Sequence, residues 1–198
     1  MENYINADAL QLFTESSVHI LENATNVRYT HTINDTYKLD FDIPANDNKA
    51  RFINPYKTVV YCGQNNQLYK VWEINKNKDN TAIISVTALS LYHADQQIHV
   101  VRILDNAMGV SAIEQFRTIF TDPAWDDNPF TVLSNTQIQA LGMTPLTRLI
   151  DFWEISKINP DDAVKKIIES AGYGEIYIDN YNVALVEQIG SPKMSSRR

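Results

Sequence analysis

Cysteine is nearly absent from this chain of 198 residues, with Cys62 its single example. That excludes an internal disulfide framework and a cysteine-built metal site within one chain. Cys62 lies in the apolar stretch Lys57–Cys62 (KTVVYC) and reads as a buried, inert thiol and not as a nucleophile. Long apolar runs are also missing. No stretch approaches the roughly 20 residues that a membrane-spanning helix needs, so a membrane is not an expected partner. The N-terminal MENYINADAL has neither the basic nor the apolar region of a signal peptide, and release from a cell would be expected through lysis. Positive charge is short as well: 17 Lys and Arg face 24 Asp and Glu, a formal net charge of −7. Neutralising phosphates takes clustered Lys and Arg, which argues against a nucleic-acid-binding surface.

Catalytic signatures are equally scarce. The sequence holds no G-x-S-x-G elbow, H-E-x-x-H pair, Walker loop or Cys–His arrangement. His31 falls on the apolar side of its segment with no second ligand at a matching spacing, so it reads as a core or interface histidine. His93 and Asp95 lack a nearby nucleophile and orienting group, and read as hydrogen-bonded junction residues. Asp122, Asp126 and Asp127 do not follow EF-hand spacing, which leaves a solvated acidic turn. Asp161 and Asp162 sit where a helix begins, and Gly172-Tyr173-Gly174 precedes a strand and so cannot be a phosphate loop. No catalytic, metal or cofactor residue is expected, and no enzyme activity in this stretch.

What the chain does have is ordinary globular composition, 44% hydrophobic and 21% charged, in a length that suits two small cores. The clearest pattern is Thr36–Gln97. Tyr37, Leu39, Phe41 and Ile43 alternate with Lys38, Asp40 and Asp42, as in a strand with one wet face, and Pro44 ends it. Lys57–Cys62, Tyr69–Ile74 and Ala82–Leu89 follow as strands, separated by GQNN and NKNKDN turns. Upstream, 10–13 and 18–21 read as a hairpin, and Val27, Tyr29, His31 and Ile33 alternate in a further strand. Phe41 and Trp72 are both expected inside this β layer.

Beyond Gln97 the pattern changes. Ile98–Leu104 is extended and Asp105–Gly109 breaks it. Ser111 and Glu114 fit a capping box, and the stripe of Ala112, Ile113, Phe116, Ile119 and Phe120 predicts a helix over 111–121. Phe130–Leu133 is a short strand, Ser134–Thr144 has no clear assignment, and Leu146–Ile158 reads as a strand. Asn159 as N-cap, Pro160, two aspartates and a terminal Gly172 predict a helix over 160–171. A hairpin around Asn180-Tyr181 follows. The fold class is therefore α+β, mainly antiparallel β, a small β-barrel followed by a helix-plus-hairpin domain.

The block order carries a resemblance. The strand ending F-x-I-P, then NDNKARFINPYKTVVY, then LYKVWEINKNKDNTAIISVTALSLYHADQQ, and finally NPDDAVKKIIESAGYGEIYIDNYNVALVEQIGS resemble the N-terminal region of the phage tail-associated lysin, or tail endopeptidase, family of baseplate hub proteins. The resemblance covers most of the chain. It implies a first tube-forming β-barrel domain over 1–97, an α+β insertion domain over 98–190 and a polar tail over 191–198. It implies a virion protein of the tail tip, made in the host bacterial cytoplasm. That protein is a homotrimer joining the sixfold tail tube and the distal tail protein ring to a threefold tip. Tape-measure and tail fibre proteins are further partners, and DNA passes through the lumen without specific binding. In that family the chain goes on to a second barrel and often a hydrolase, so this sequence is expected to be the N-terminal fragment of a longer protein. The competing reading is a non-enzymatic carbohydrate- or peptide-binding module, for which the ten tyrosines and three tryptophans would supply stacking surfaces.

Overall fold

The period-2 alternation of residues 37–44 becomes a strand in which every second side chain is buried, and six further strands pack around it. The computed structural model describes residues 10–76, 82–96, 107–122, 125, 128–152 and 158–189. The chain divides into two units, 1–97 and 98–198. The first contains β1 (Leu10–Phe13), β2 (Val18–Leu21), β3 (Thr25–His31), β4 (Tyr37–Pro44), a 3-10 turn (Ala50–Phe52), β5 (Val59–Cys62), β6 (Gln67–Lys76), β7 (Ile83–Ser90) and helix α1 (Leu91–Gln96). All seven strands join one antiparallel sheet in the order β2-β1-β5-β6-β7-β4-β3.

That order forces the sheet to bend. Its two edges, β2 and β3, are consecutive in sequence, and only Glu22, Asn23 and Ala24 join them. Four peptide steps reach at most about 14 Å, whereas the edges of a flat seven-stranded sheet lie about 29 Å apart. The sheet therefore curls around an inner face that holds Leu10, Leu12, Leu39, Phe41, Ile43, Val60, Cys62, Tyr69, Val71, Val86 and Ala88. It does not close: no pairing joins β2 to β3 among the described residues.

Three expectations for this unit need correction. Trp72, expected in the core, is half-buried, because β6 carries a bulge between Val71 and Glu73. Trp72 is the extra residue of that bulge, which breaks the alternation and turns the ring away from the interior. Tyr29 of β3 and Ile33 just beyond it also face out, 46% and 55% exposed, whereas Val27 packs against the core. Finally, the segment after β7 is not a plain junction but a helical turn, with Ser90 accepting from the His93 amide at 3.4 Å.

The second unit contains β8 (Ala107–Ser111), α2 (Ala112–Phe120), β9 (Thr131–Val132), α3 (Asn135–Ala140), β10 (Leu149–Phe152), α4 (Pro160–Ala171), β11 (Glu175–Asp179) and β12 (Asn182–Val186). β8 pairs with β10, and β12 lies between antiparallel β11 and parallel β9. Helix α4 forms as its signals predict. Asn159 accepts from the Asp162 amide at 2.8 Å, Pro160 occupies the first turn, and Gly172 exits at φ 77°. The Ser111 capping box does not form. Ser111 is held in β8, and the first amides of α2 donate instead to Arg148 O and Leu146 O at 2.9 and 3.0 Å. Glu114 pairs with Arg117. A complete capping box appears in the unassigned segment, where Ser134 and Gln137 start α3. Residues 107–109, expected to break the chain, lie in β8. The Ile98–Leu104 segment, and residues 153–157 of the expected Leu146–Ile158 strand, lie outside the described residues.

Phe41 is 2% exposed in the middle of β4. Phe41→Ala should lower the unfolding free energy by about 3 to 5 kcal/mol, the usual effect of emptying an aromatic core site. Urea denaturation followed by circular dichroism measures it, and an unchanged midpoint would place the ring outside the core.

Candidate assembly interface

The residues with catalytic chemistry are all engaged in structural roles. Cys62 is fully buried in β5. His93 and Ser90 are 7% and 2% exposed, with Ser90 Oγ 2.8 Å from His93 Nδ1. The Tyr37 amide also points at Nδ1, at 3.5 Å. Asp95, the acid that a Ser-His-Asp arrangement would need, sits instead on Lys70 Nζ at 3.0 Å. The pair thus acts as a helix cap in which His93 occupies the place that Glu or Gln takes in a capping box. Sequence spacing alone would not reveal this, because Ser90 reads as a strand residue.

The remaining candidates follow suit. Asp161 pairs with Lys165 at 2.8 Å, and Asp162 serves the N-terminus of α4. Asp122 O accepts from the Trp125 amide at 2.9 Å, while Asp126 and Asp127 lie outside the described residues. Among the described residues, no group of His, Cys, Asp and Glu could hold a metal ion. Gly174 is required where it stands: at φ 128°, a Cβ would approach Leu146 Cδ2 to 2.6 Å.

The surface features that stand out are the two sheet edges, which are treated differently. β2 is covered by the segment that follows β4. Lys49 Nζ donates to the β2 carbonyl of Ile20 at 2.6 Å and pairs with Glu22 at 3.1 Å. Asn23 bonds Asp47 at 2.8 Å, and His19 stacks on Phe52 with centroids 4.2 Å apart. The Lys49 amide and Asn23 hold the Asp47 carboxyl below its ordinary pKa. β3 is likewise paired on one side only, to β4. Six of its seven residues are exposed, including His31, which was expected on a buried or interface face. Its ring lies against Tyr37, with centroids 3.6 Å apart.

β3 is nonetheless firmly anchored. A bulge falls between Thr25 and Arg28, and Asn26, at φ 52°, donates to Asp42 at 2.7 Å. Ser85 on β7 donates to the same carboxylate at 2.6 Å, and Thr87 to Asp40 at 2.8 Å. Asn26 and then Ser85 hold the Asp42 carboxyl below its ordinary pKa. A long one-sided strand fixed in this way presents a ready template for another strand.

Residues 10–90 match the family model described as the prophage endopeptidase tail N-terminal domain. Similar solved structures include the prophage tail protein gp18 from Listeria monocytogenes EGD-e, at 14% identity and a TM-score of 0.65, covering 89% of this chain and 50% of that one. A tail protein from Neisseria meningitidis MC58 follows, at 14% identity and a TM-score of 0.56, over 89% of this chain and 49% of that one. The 43 kDa tail protein of prophage MuSo2 from Shewanella oneidensis matches at 13% identity with a TM-score of 0.55, over 90% of this chain and 54% of that one. This chain thus spans about half the length of each. No curated protein matches the sequence. Residues 10–90 are thus similar to that phage tail domain, and the three structures share the fold.

Asp42 gives the anchoring network a pH signature. Its folded pKa lies below the unfolded value of about 3.9. The stability it contributes is therefore present above that value and lost as pH falls through the folded pKa. Ser85→Ala should destabilise the chain by about 1 kcal/mol or less at pH 7, and by less near pH 2. Parallel denaturation curves at the two pH values test it, and an equal loss at both would deny Asp42 this role.

Proposed function

We propose that this chain is a non-catalytic structural subunit of a phage tail tip. In this reading it is a hub protein whose first unit supplies one of the barrel-like contact surfaces between the sixfold tail tube, the distal tail protein ring and a threefold tip. The observation that carries the reading is the unequal treatment of the two edges. A free edge invites aggregation, and natural proteins blunt it. Here one edge is covered by Lys49 and its turn, whereas the other is left exposed, bulged and anchored. That combination suits a strand built to meet a neighbouring domain of the same kind. The family match over 10–90 and the shared fold with three tail proteins support it.

Symmetry then suggests the partner arrangement. A threefold object matches a sixfold tube when each subunit contributes two similar surfaces. A chain carrying only the first unit offers three. The second such surface is expected in a region that follows residue 198 in the whole protein, consistent with relatives about twice as long.

Residues 1–198 alone should be monomeric or weakly associating, whereas a chain extended to include the second domain should form a trimer that binds the distal tail ring. Light-scattering masses, taken alone and with the ring protein, test this. Tyr29→Glu with Ile33→Glu changes two exposed side chains. It should leave the denaturation midpoint unchanged and weaken ring binding at least tenfold. A monomeric extended chain that ignores the ring would sink the assignment.

A further inference from the structure

Two local distortions meet at one end of the first unit's sheet. Tyr56 has φ 64°, a left-handed conformation that is strained for a bulky L-residue. Every other non-glycine residue with positive φ among the described residues is an asparagine: Asn26, Asn34, Asn66 and Asn180. Asparagine tolerates that region; tyrosine does not gain by being there. One strand away, Trp72 is the extra residue of the β6 bulge. The Tyr56 amide donates to Val71 O at 2.7 Å and the Val71 amide to Thr58 O at 2.9 Å, so the 54–58 turn is clamped beside the bulge. The two rings meet edge to face, with centroids 4.9 Å apart.

Core packing does not account for this. Tyr56 is 59% exposed, so its ring recovers little burial energy against the backbone strain. What both distortions achieve is an aromatic pair held at the surface, and re-aiming a side chain is a recurrent use of bulges.

The same 54–58 turn forms one wall of a cleft of about 310 Å³, and the 14–17 turn forms the other. Neither ring lines the cleft, but register sets the two features side by side. Phe13 pairs with Val59 and Val59 with Lys70, so Thr14, Thr58 and Val71 stand at one level across β1, β5 and β6. The lining holds Thr14, Ser16, Ser17, Asn54 and Thr58 beside Phe52, with one carboxylate, Glu15, and one ammonium, Lys57; Thr14, Ser17, Asn54 and Thr58 also bond one another or their neighbours. The charges balance.

We propose that this end of the sheet binds a neutral saccharide. The Tyr56–Trp72 pair offers rigid aromatic surface to the C–H face of a sugar ring, and the cleft offers donors and acceptors to its hydroxyls. A phosphate- or sulfate-bearing polymer would need net positive charge here. The inference stands apart from the tail-hub reading, since it uses only residues of this end.

The test is titration of the whole chain with neutral hexasaccharides of glucose, mannose, galactose and N-acetylglucosamine, by calorimetry and tryptophan fluorescence. Decaproline and a sulfated hexasaccharide serve as comparisons. At least one neutral hexamer should bind saturably. Tyr56→Gly should weaken that binding at least tenfold while holding or raising the thermal midpoint, because glycine relieves the strained φ. The proposal is overturned if no neutral hexamer binds, if only decaproline or the sulfated sugar does, or if Tyr56→Gly binds like the parent.

Discussion

The three-residue link from Leu21 to Thr25 is the constraint on which the first unit depends. It ties together the two edges of a seven-stranded sheet, and a sheet whose edges must come close has to curl. Curling defines an inside. Each strand then contributes alternate residues to that inside, which is why β4 reads buried and half-buried in strict succession. Its outer residues, Lys38, Asp40 and Asp42, are left to pair with each other and with Ser85 and Thr87 of β7. Those outer bonds are partly exposed and individually weak, so the stability of the unit rests on the inner face and the outer ladder fixes register.

The second unit meets a different constraint. β9 and β12 are parallel, and parallel neighbours need a long crossover. The chain between them supplies α3, β10, α4 and β11. β12 ends up between two partners, with four of its five residues buried. The start of α2 depends on the same crossover, because its first amides donate to Leu146 and Arg148. A helix N-terminus needs its free amides satisfied, but it does not need its own side chain to do so.

That distinction explains what could be read from the sequence. Helix α4 was legible because Asn159, Pro160, the aspartates and Gly172 act within a few residues of one another, and nothing distant competes. Ser111 and Glu114 carry the same kind of local signal, yet a strand pairing with Leu149 holds Ser111 and overrides it. The Ser134 box is hard to read because its helix is only six residues long and buries just Ile138, so no apolar stripe announces it. Trp72 failed for a related reason. Alternation predicts burial only while register is unbroken, and a bulge leaves no mark in composition. The candidate surface was less legible still. Val27, Tyr29, His31 and Ile33 have the period of a half-buried strand, and the sequence cannot say whether the covering partner lies in the same chain. The likeness to tail endopeptidases was visible only as the order of several weak blocks.

The fate of β3 shows why that last ambiguity matters. Within this unit Val27 packs against the core, but Tyr29 stays largely exposed, so a reading confined to the unit would count Tyr29 as a defect. An edge strand bearing Tyr29, bulged at one end and tied through Asn26 to Asp42, has been given order with little burial. Ordering a strand costs about 1 to 2 kcal/mol per residue in backbone entropy, and a partner that arrives later does not have to supply that ordering. A preformed edge therefore binds more tightly than a flexible one with the same contacts. It also aggregates more readily, which is tolerable where the neighbouring surface is always at hand, as it is in a symmetric assembly.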